Sequence, residues 1–239
     1  MKKAMWILSV VPVAFTAVVL QFLPDKVPMH YDLAGNIDRW GSKYEELIFP
    51  VVIIIMALFW SIMISYYRKK AGKTSDEKEM AGALSNAKVL GITGTAVAAF
   101  FMVLQGYNLY RAYAGSKAGP QAEAVDICRL ICIVLGLLFI VLGNFMPKTR
   151  INSLVGVRLK WSMYNDNTWR KSNRFGAIAL IAAGVLAIVT AVFVKSAAGC
   201  IAAVLGCICL AAAATAVYAY KVYKEELSSG TEERVNYDN

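Results

Sequence analysis

Six long apolar runs decide what this chain can fold into. They cover about residues 4–23, 47–67, 87–110, 125–145, 175–194 and 197–220. Each is close to the roughly 20 residues that an α-helix needs to cross a bilayer core about 30 Å thick. A backbone in hydrocarbon must satisfy its own hydrogen bonds, and none of the runs alternates as a membrane β-strand does. The sequence therefore predicts an all-α fold, a polytopic transmembrane helical bundle with about six spans.

The first apolar run is interpreted as a retained helix rather than a secretory signal peptide. It follows Lys2 and Lys3, but it is longer than the roughly 7 to 15 residues of a signal-peptide core. Leu23-Pro24-Asp25 also lacks the small-x-small pattern of a cleavage site. With 58% of its residues hydrophobic and 17% charged, the chain of 239 residues leaves no room for a large soluble domain.

The lysines and arginines that flank the helices predict the orientation of the bundle. One side of the predicted membrane carries 18 of them and the other side six, and the richer side is expected to be cytoplasmic. Both termini are then inside, a topology written N-in/C-in. The net charge of +9 is explained by this topology, so no direct nucleic-acid partner is expected.

Arg129 is the one charged residue well inside a predicted span. An intramembrane charge is a functional-site hypothesis by default. Arg129 is close enough to the helix end to reach the headgroups or to pair with Asp126 three residues earlier. The alternative is a polar cavity in which Gln105 or Asn108 of a neighbouring helix would be its partner.

No sequence pattern predicts an enzyme, a cofactor or a metal site. The chain has no HExxH or GxSxG motif and no paired intramembrane aspartates. All five cysteines lie in apolar runs. Cys128 and Cys132 share a helical face, but no histidine or carboxylate accompanies them at ligand spacing, so we interpret them as packing residues. We expect a non-enzymatic protein.

The loop between the first two runs, residues 24–46, is rich in turn formers and predicts an ordered external cap. It contains His30, the single histidine of the chain, which with Asp32 and Asp38 forms either a weak metal or pH-sensing group or a structural hydrogen bond. If this cap recognises a ligand, the candidate residues are Pro28, His30, Asp32, Gly35, Asp38 and Trp40.

The loop at residues 146–174 predicts a re-entrant or interfacial connector. Val155, Val157 and Leu159 alternate with polar residues, which favours an extended segment with one apolar face. Residues 165–167 predict a turn, and Thr168 is a candidate cap for a helix that continues into the fifth span. The basic side chains of the loop either lie on lipid phosphates or dock a cytoplasmic partner. The candidate motif residues are Asn144, Pro147, Asn152, Gly156, Arg158, Trp161, Trp169 and Arg174. Four of them are predicted to form one polar and aromatic cluster: Asn152, Arg158, Trp161 and Trp169.

These two loops together resemble the SdpI family of bacterial membrane proteins. The first, from Leu23-Pro24-Asp25-Lys26 through Pro28-x-His30 to Gly35 and Lys43, is similar to the family's N-terminal domain of unknown function, DUF1648. The second, with Gly143-Asn144, Met146-Pro147-Lys148, Asn152, Gly156-Val157-Arg158, Trp161 and Trp169, is similar to the SdpI domain.

The resemblance implies a division of the chain and a function. Residues 1–70 would form a DUF1648-like two-helix unit with its external loop, and residues 71–86 would form a cytoplasmic linker. Residues 87–220 would form an SdpI-like four-helix unit that includes the cytoplasmic loop 146–174. Residues 221–239 would form a disordered cytoplasmic tail. The family implies a multi-pass protein of the bacterial cytoplasmic membrane that protects against a secreted peptide toxin and recruits a cytoplasmic transcriptional repressor. The alternative is a transporter or channel for a small molecule or peptide.

Overall fold

The computed structural model describes residues 2–32, 36–118, 127–194 and 196–229. Within these ranges it contains six long α-helices, all of them long and apolar enough to cross a membrane. They are α1 (Lys2–Val19), α2 (Ile48–Ala71), α3 (Glu77–Ala118), α4 (Ile127–Phe145), α5 (Asp166–Phe193) and α6 (Ala197–Ser228). The predicted bundle of membrane-spanning helices is confirmed.

Three of the helices extend well beyond their apolar runs. With 42 residues, α3 is about 63 Å long, roughly twice the thickness of a bilayer core. Only residues 72–76 separate α2 from α3, so most of the segment 71–86 is helical. Helix α5 begins nine residues before the apolar run at 175, and α6 continues to Ser228. Apolar runs mark the part of a helix that fits the membrane, whereas charged helix formers continue it into water.

The helices pack through small residues. Gly136 of α4 faces the backbone of α5 so closely that a Cβ added to it would lie 2.5 Å from the Gly184 carbonyl oxygen. A Cβ on Gly143 would lie 2.9 Å from the Ala177 carbonyl oxygen, again on α5. Small residues let membrane helices approach closely enough for backbone contact. Helices α4, α5 and α6 form one packed group, and α1 and α2 pack on α3.

The first loop folds into a β-hairpin, an element that the turn formers alone did not predict. Strand β1 (Lys26–Tyr31) pairs antiparallel with β2 (Ile37–Ser42), and a short 3-10 helix, η1 (Lys43–Leu47), leads into α2. Lys43 ties the two ends of the hairpin together. Its Nζ lies 3.3 Å from the Leu23 carbonyl oxygen and 3.1 Å from Asp25 Oδ1, and its backbone N–H donates to the Asp25 carbonyl oxygen.

The hairpin is held on the bundle by an apolar contact. Val27 is fully buried against Leu20 and Leu23, which follow α1, and against Ala112 of α3. We call this side of the molecule the hairpin end. The opposite side, where the α4–α5 loop (residues 146–165) meets the first turns of α3 and α5 and the last turns of α6, is the loop end.

The prediction of an extended segment in the α4–α5 loop is wrong. After the 3-10 turn Met146–Lys148 the loop has no strand among residues 149–165, all of which the structure describes. The chain bends at Gly156, which has a φ of +129°, and turns again where the Met163 N–H donates to the Leu159 carbonyl oxygen. The alternating pattern failed because asparagine side chains, rather than a neighbouring strand, bond the backbone of this segment.

The predicted cap of α5 is one turn out of place. Asn165, not Thr168, is the N-cap residue, and its Oδ1 accepts a hydrogen bond from the Thr168 N–H at 2.9 Å. Thr168 Oγ1 in turn accepts from the Asn165 N–H at 3.0 Å, which completes a reciprocal capping box. Helix α5 therefore begins at Asp166, and the loop ends at residue 165 rather than 174.

Candidate functional site

A cavity of about 430 Å³ lies between the hairpin and the bundle. We call it the hairpin cavity. Its lining comes from β1, β2, η1 and the neighbouring ends of α2, α3 and α4: Pro28, Met29, His30, Arg39, Glu45, Glu46, Ile48, Phe49, Asn108, Arg111 and Ile127. The structure thus brings two of the sequence-predicted recognition residues, Pro28 and His30, to one cavity with polar residues from three other elements.

The remaining candidates of the first loop lie around this cavity rather than in it. Asp38 holds His30, whose Nδ1 is 2.6 Å from Asp38 Oδ1. Trp40 faces Pro28 across the two strands and is 48% exposed. Asp32 accepts hydrogen bonds from the backbone and side-chain amides of Asn36. The sixth candidate, Gly35, lies outside the described residues.

One wall of the hairpin cavity is fixed by an ion pair. Arg39 Nη2 donates to Glu45 Oε2 at 3.0 Å, and the Ser42 backbone N–H donates to the other carboxylate oxygen at 3.0 Å. Gly41 makes room for this arrangement, because a Cβ there would overlap the Glu45 carboxylate and the Met29 side chain. The carboxylate of Glu45 is therefore committed to the hairpin.

Beneath the cavity is a buried polar contact that links three elements. Gln105 of α3 donates from Nε2 to Thr16 Oγ1 of α1 at 3.0 Å and to the Glu46 carbonyl oxygen of η1 at 3.2 Å. All three residues are buried. The sequence offered Gln105 as a partner for Arg129, but in the structure its Nε2 donates to Thr16 and Glu46 instead. Buried polar groups need such partners, which makes this contact a constraint on how η1 sits.

Sequence reasoning missed most of the polar lining of this cavity. In the sequence, Glu45 and Glu46 stand at the end of the loop 24–46, before an apolar run, and Arg111 is one of the basic residues that flank the helices. The available signal was their position: two adjacent carboxylates immediately before the second span, and polar residues in the last turns of the third. Their meeting depends on how α2 and α3 pack, which no local pattern reports.

Arg129 lies at the hairpin end of α4. Its Nη2 donates to the Val194 carbonyl oxygen at 3.2 Å, and Val194 is the C-cap residue of α5. A cation at a helix C-terminus meets the negative end of the helix dipole and bonds a carbonyl group that the helix leaves open. Asp126, the other predicted partner, lies outside the described residues.

At the loop end, Asn152 organises the α4–α5 loop from within. Its Nδ2 donates to the carbonyl oxygens of Arg150 at 2.8 Å and Val155 at 2.9 Å. Its Oδ1 accepts from the backbone N–H groups of Leu154 and Val155, both at 2.8 Å. All of the hydrogen-bonding capacity of one buried side chain is used to hold a turn, so this motif residue has a structural explanation.

Trp169 and Asn173 of α5 hold the next part of the loop. The Trp169 Nε1–H donates to the Thr149 carbonyl oxygen at 2.9 Å, and the residue is only 1% exposed. Asn173 Oδ1 accepts from the Val157 N–H at 2.8 Å. Gly156 fits between them: a Cβ there would lie 2.5 Å from Asn173 Oδ1 and 2.8 Å from the Trp169 ring.

Glu226 fastens α6 to the start of α5, and sequence reasoning missed it. The buried carboxylate accepts from Asn165 Nδ2 at 3.2 Å and from Asn167 Nδ2 at 2.6 Å. Glu226 falls in the segment 221–239 that was expected to be a disordered tail, yet α6 runs to Ser228. The sequence did contain a signal for this part of α6. Residues 219, 222 and 226 are three and four positions apart, the spacing of one face of a continuing helix.

The other motif residues lie at the rim of this cluster. Arg158 and Arg174 are exposed. The Trp161 ring packs edge-on against Tyr220 of α6 with centroids 5.6 Å apart. At the end of α4, Asn144 donates to the carbonyl oxygen one turn back, and Pro147 lies in the following 3-10 turn. Of the four residues predicted to cluster, Asn152 and Trp169 lie in the buried network, whereas Arg158 faces away from it.

Comparison with known proteins gives two family matches and two relatives. Residues 148–219 match the SdpI/YfhL protein family, and residues 7–55 match the domain of unknown function DUF1648. The chain is 24% identical over 195 residues to the immunity protein SdpI of Bacillus subtilis, covering 81% of this chain and 83% of that protein. It is also 29% identical over 122 residues to a monocarboxylic acid transporter of Corynebacterium glutamicum, covering 46% of this chain and 20% of the transporter. No solved structure matches.

The two family matches fall on the two regions where the structure concentrates its polar side chains. The DUF1648 match contains most of α1, the hairpin and the start of α2, and the other match contains most of the α4–α5 loop, α5 and most of α6. The resemblance carried by the two loops is thereby confirmed by a match to each of the two family models, and the six long apolar helices are those of a multi-pass membrane protein.

Proposed function

We propose that this chain is a non-enzymatic immunity protein of the bacterial cytoplasmic membrane, protecting its host against a membrane-active peptide toxin. The observation that carries the proposal is the similarity to an immunity protein over more than four-fifths of both chains. The transporter match, by contrast, covers one-fifth of that protein.

The proposed orientation places both termini in the cytoplasm and the hairpin outside. It rests on the 18 lysines and arginines on one side of the membrane against six on the other. The hairpin cavity would then meet a peptide arriving from outside the cell, and the loop end would face the cytoplasm. The proposed units are a two-helix unit at 1–70 and a four-helix unit at 87–220, joined by 71–86. One family match lies within each of them.

We assign recognition of the toxin to the hairpin and its cavity. Pro28 and the exposed His30 form part of the cavity lining, and Trp40 is exposed beside it. Aromatic side chains with open faces are the residues most often responsible for binding energy at protein interfaces. Lys43 and Asp25 hold the hairpin in place, so these side chains are presented by an ordered element.

The loop end is proposed to dock a cytoplasmic transcriptional repressor. Its buried network leaves an exposed row of basic side chains at the start of α5 and in the loop before it: Arg158, Lys160, Arg170, Lys171 and Arg174. Such a surface favours an acidic partner or the phosphates of membrane lipids. The relay would pass from the hairpin end to the loop end through the helices that connect them.

Replacing His30 with alanine tests the recognition site. The His30 side chain is 66% exposed and pairs with Asp38 at the surface, and such pairs contribute little to stability. Membrane abundance should therefore stay at the wild-type level, whereas protection of a toxin-sensitive host should fall by about tenfold in toxin dose, as expected for one lost contact of about 1.4 kcal/mol.

Lys26→Ala is the matched control for this substitution, because Lys26 is an exposed residue of the same strand that does not line the cavity. It should protect as the wild type does. Full protection by His30→Ala at equal abundance would remove His30 from the recognition site. Absence of protection by the wild-type chain itself would contradict the immunity proposal.

Transport of a small molecule or peptide is the second candidate, and the similarity to the monocarboxylic acid transporter is the observation in its favour. Purified chain in proteoliposomes separates the two functions. Saturable uptake of a labelled monocarboxylate favours transport, whereas peptide binding without flux favours immunity.

A further inference from the structure

Glu46 is a buried residue whose carboxylate faces the hairpin cavity. The residue is 6% exposed and lines the hairpin cavity. Its backbone carbonyl oxygen accepts from Gln105, but no hydrogen-bond donor or cation contacts its carboxylate among residues 2–32, 36–118, 127–194 and 196–229. Burying a carboxylate without a donor or a cation is costly. A carboxylate buried in this way at the wall of a cavity is a candidate for ligand binding.

The neighbouring glutamate shows the contrast. Glu45 lines the same cavity, but both of its carboxylate oxygens are used, one by Arg39 and one by the Ser42 N–H. The hairpin therefore supplies the hydrogen-bond donors for the Glu45 carboxylate, whereas the Glu46 carboxylate remains available to a ligand that enters the cavity. The lining also carries Arg111 in addition to Arg39, so the arginines and glutamates of the cavity balance, and a cation is not repelled by the lining as a whole.

We propose that the hairpin cavity binds a basic side chain of a peptide, with the ammonium group on the Glu46 carboxylate and the aliphatic stem against the apolar lining. This deepens the proposed function by naming the chemistry of the ligand, and the choice of a peptide rests on that function. Met29, Ile48 and Phe49 supply the apolar surface for the stem. Long basic side chains bury their methylene groups in this way while the charged head is paired.

The size and composition of the cavity favour a side chain over a metal ion. Its volume of about 430 Å³ is far larger than an ion needs. Within the part of the chain that the structure describes, no group of three or more His, Cys, Asp or Glu side chains could hold a metal. Single carboxylates with apolar surroundings are suited to an ammonium group instead.

Direct binding to the full chain in phosphatidylcholine nanodiscs tests the proposal. The probes are two fluorescent peptides of leucine and serine with one central position, lysine in the first and norleucine in the second. Wild-type protein should bind the lysine peptide about tenfold more tightly, because a desolvated charge pair typically contributes 1.4 kcal/mol or more. Glu46→Gln, which keeps the shape and removes the charge, should lose this preference.

Glu77→Gln is the matched control, since it makes the same chemical change at an exposed residue that does not line the cavity. It should keep the wild-type preference. Equal binding of the two peptides by wild type, no binding of either, or an unchanged preference in Glu46→Gln would overturn the proposal. If the preference disappears when phosphatidylethanolamine is added to the nanodiscs, the site belongs to a lipid ammonium group and the peptide assignment is wrong.

The result of the binding experiment can be interpreted separately from the result of the protection assay. A chain that binds the lysine peptide through Glu46 but protects no host would refute the immunity role and leave the cation site. A chain in which Glu46→Gln changes neither the preference for the lysine peptide nor the protection would refute the cation site and leave the immunity role.

Discussion

Trp169→Ala is expected to destabilise the protein by about 3–5 kcal/mol, the usual cost of removing a buried tryptophan side chain. Trp169 is nearly completely buried, and its ring packs under Gly156 at the centre of the loop end. The substitution also leaves the Thr149 carbonyl oxygen without its donor. A lower melting temperature of the purified protein and a lower abundance in the membrane should both be seen.

Two other tryptophan variants identify the cause of this loss. Trp169→Phe keeps an aromatic ring but removes the hydrogen bond and the ring atoms nearest Gly156, so its cost should be smaller, about 1–3 kcal/mol. Trp40→Ala removes a half-exposed side chain from the hairpin and should leave the melting temperature close to that of the wild type. Equal melting temperatures for Trp169→Ala and the wild type would show that the loop-end network is not a structural core.

Gly156→Ala is the second substitution with a large expected effect. The φ of +129° at Gly156 is one that residues with a Cβ rarely adopt, and such strain costs roughly 1–3 kcal/mol. The added methyl group would also overlap Asn173 Oδ1 and the Trp169 ring, both of them in rigid, buried side chains. We expect lost hydrogen bonding between Asn173 and Val157, a lower melting temperature and weaker membrane accumulation.

Gly72→Ala is the control for this prediction. Gly72 follows α2 at the same end of the molecule, has a φ of −79°, and an added Cβ would meet nothing closer than 3.7 Å. Its melting temperature should stay close to that of the wild type. If Gly156→Ala and Gly72→Ala behave alike, the strained conformation of Gly156 does not contribute to the stability of the loop.

The bundle could be predicted from the sequence because membrane helices are specified locally. Each span needs only enough consecutive apolar residues, and the six runs supply them. Helix ends were less accurate, since α3 and α5 begin in polar segments. A charged helix in water and a charged loop share much of their composition, and what separates them is the tertiary contact that each makes, such as Lys78 of α3 with Asp166 of α5.

The residues of the two loops were identified, but their arrangement was not. Pro28, His30 and Trp40 could be selected as unusual loop residues, whereas the cavity also depends on Glu46 and Arg111 from elements separated in sequence. In the second loop, the side chains of Asn152 and Asn173 replace the backbone partners of a strand. Alternating apolar residues therefore suggested a strand in a segment whose backbone is bonded by side chains.

The proposed function depends first on which side of the membrane the hairpin faces, and cysteine labelling measures this directly. In a background without Cys128, Cys132, Cys200, Cys207 and Cys209, a single cysteine is placed at Ser42 of the hairpin or at Ser75 between α2 and α3, both exposed positions. A membrane-impermeant maleimide added to intact cells should label Ser42→Cys and not Ser75→Cys, and permeabilised cells should show labelling of both. Labelling of Ser75→Cys but not Ser42→Cys in intact cells would place the hairpin cavity in the cytoplasm and contradict recognition of a secreted peptide.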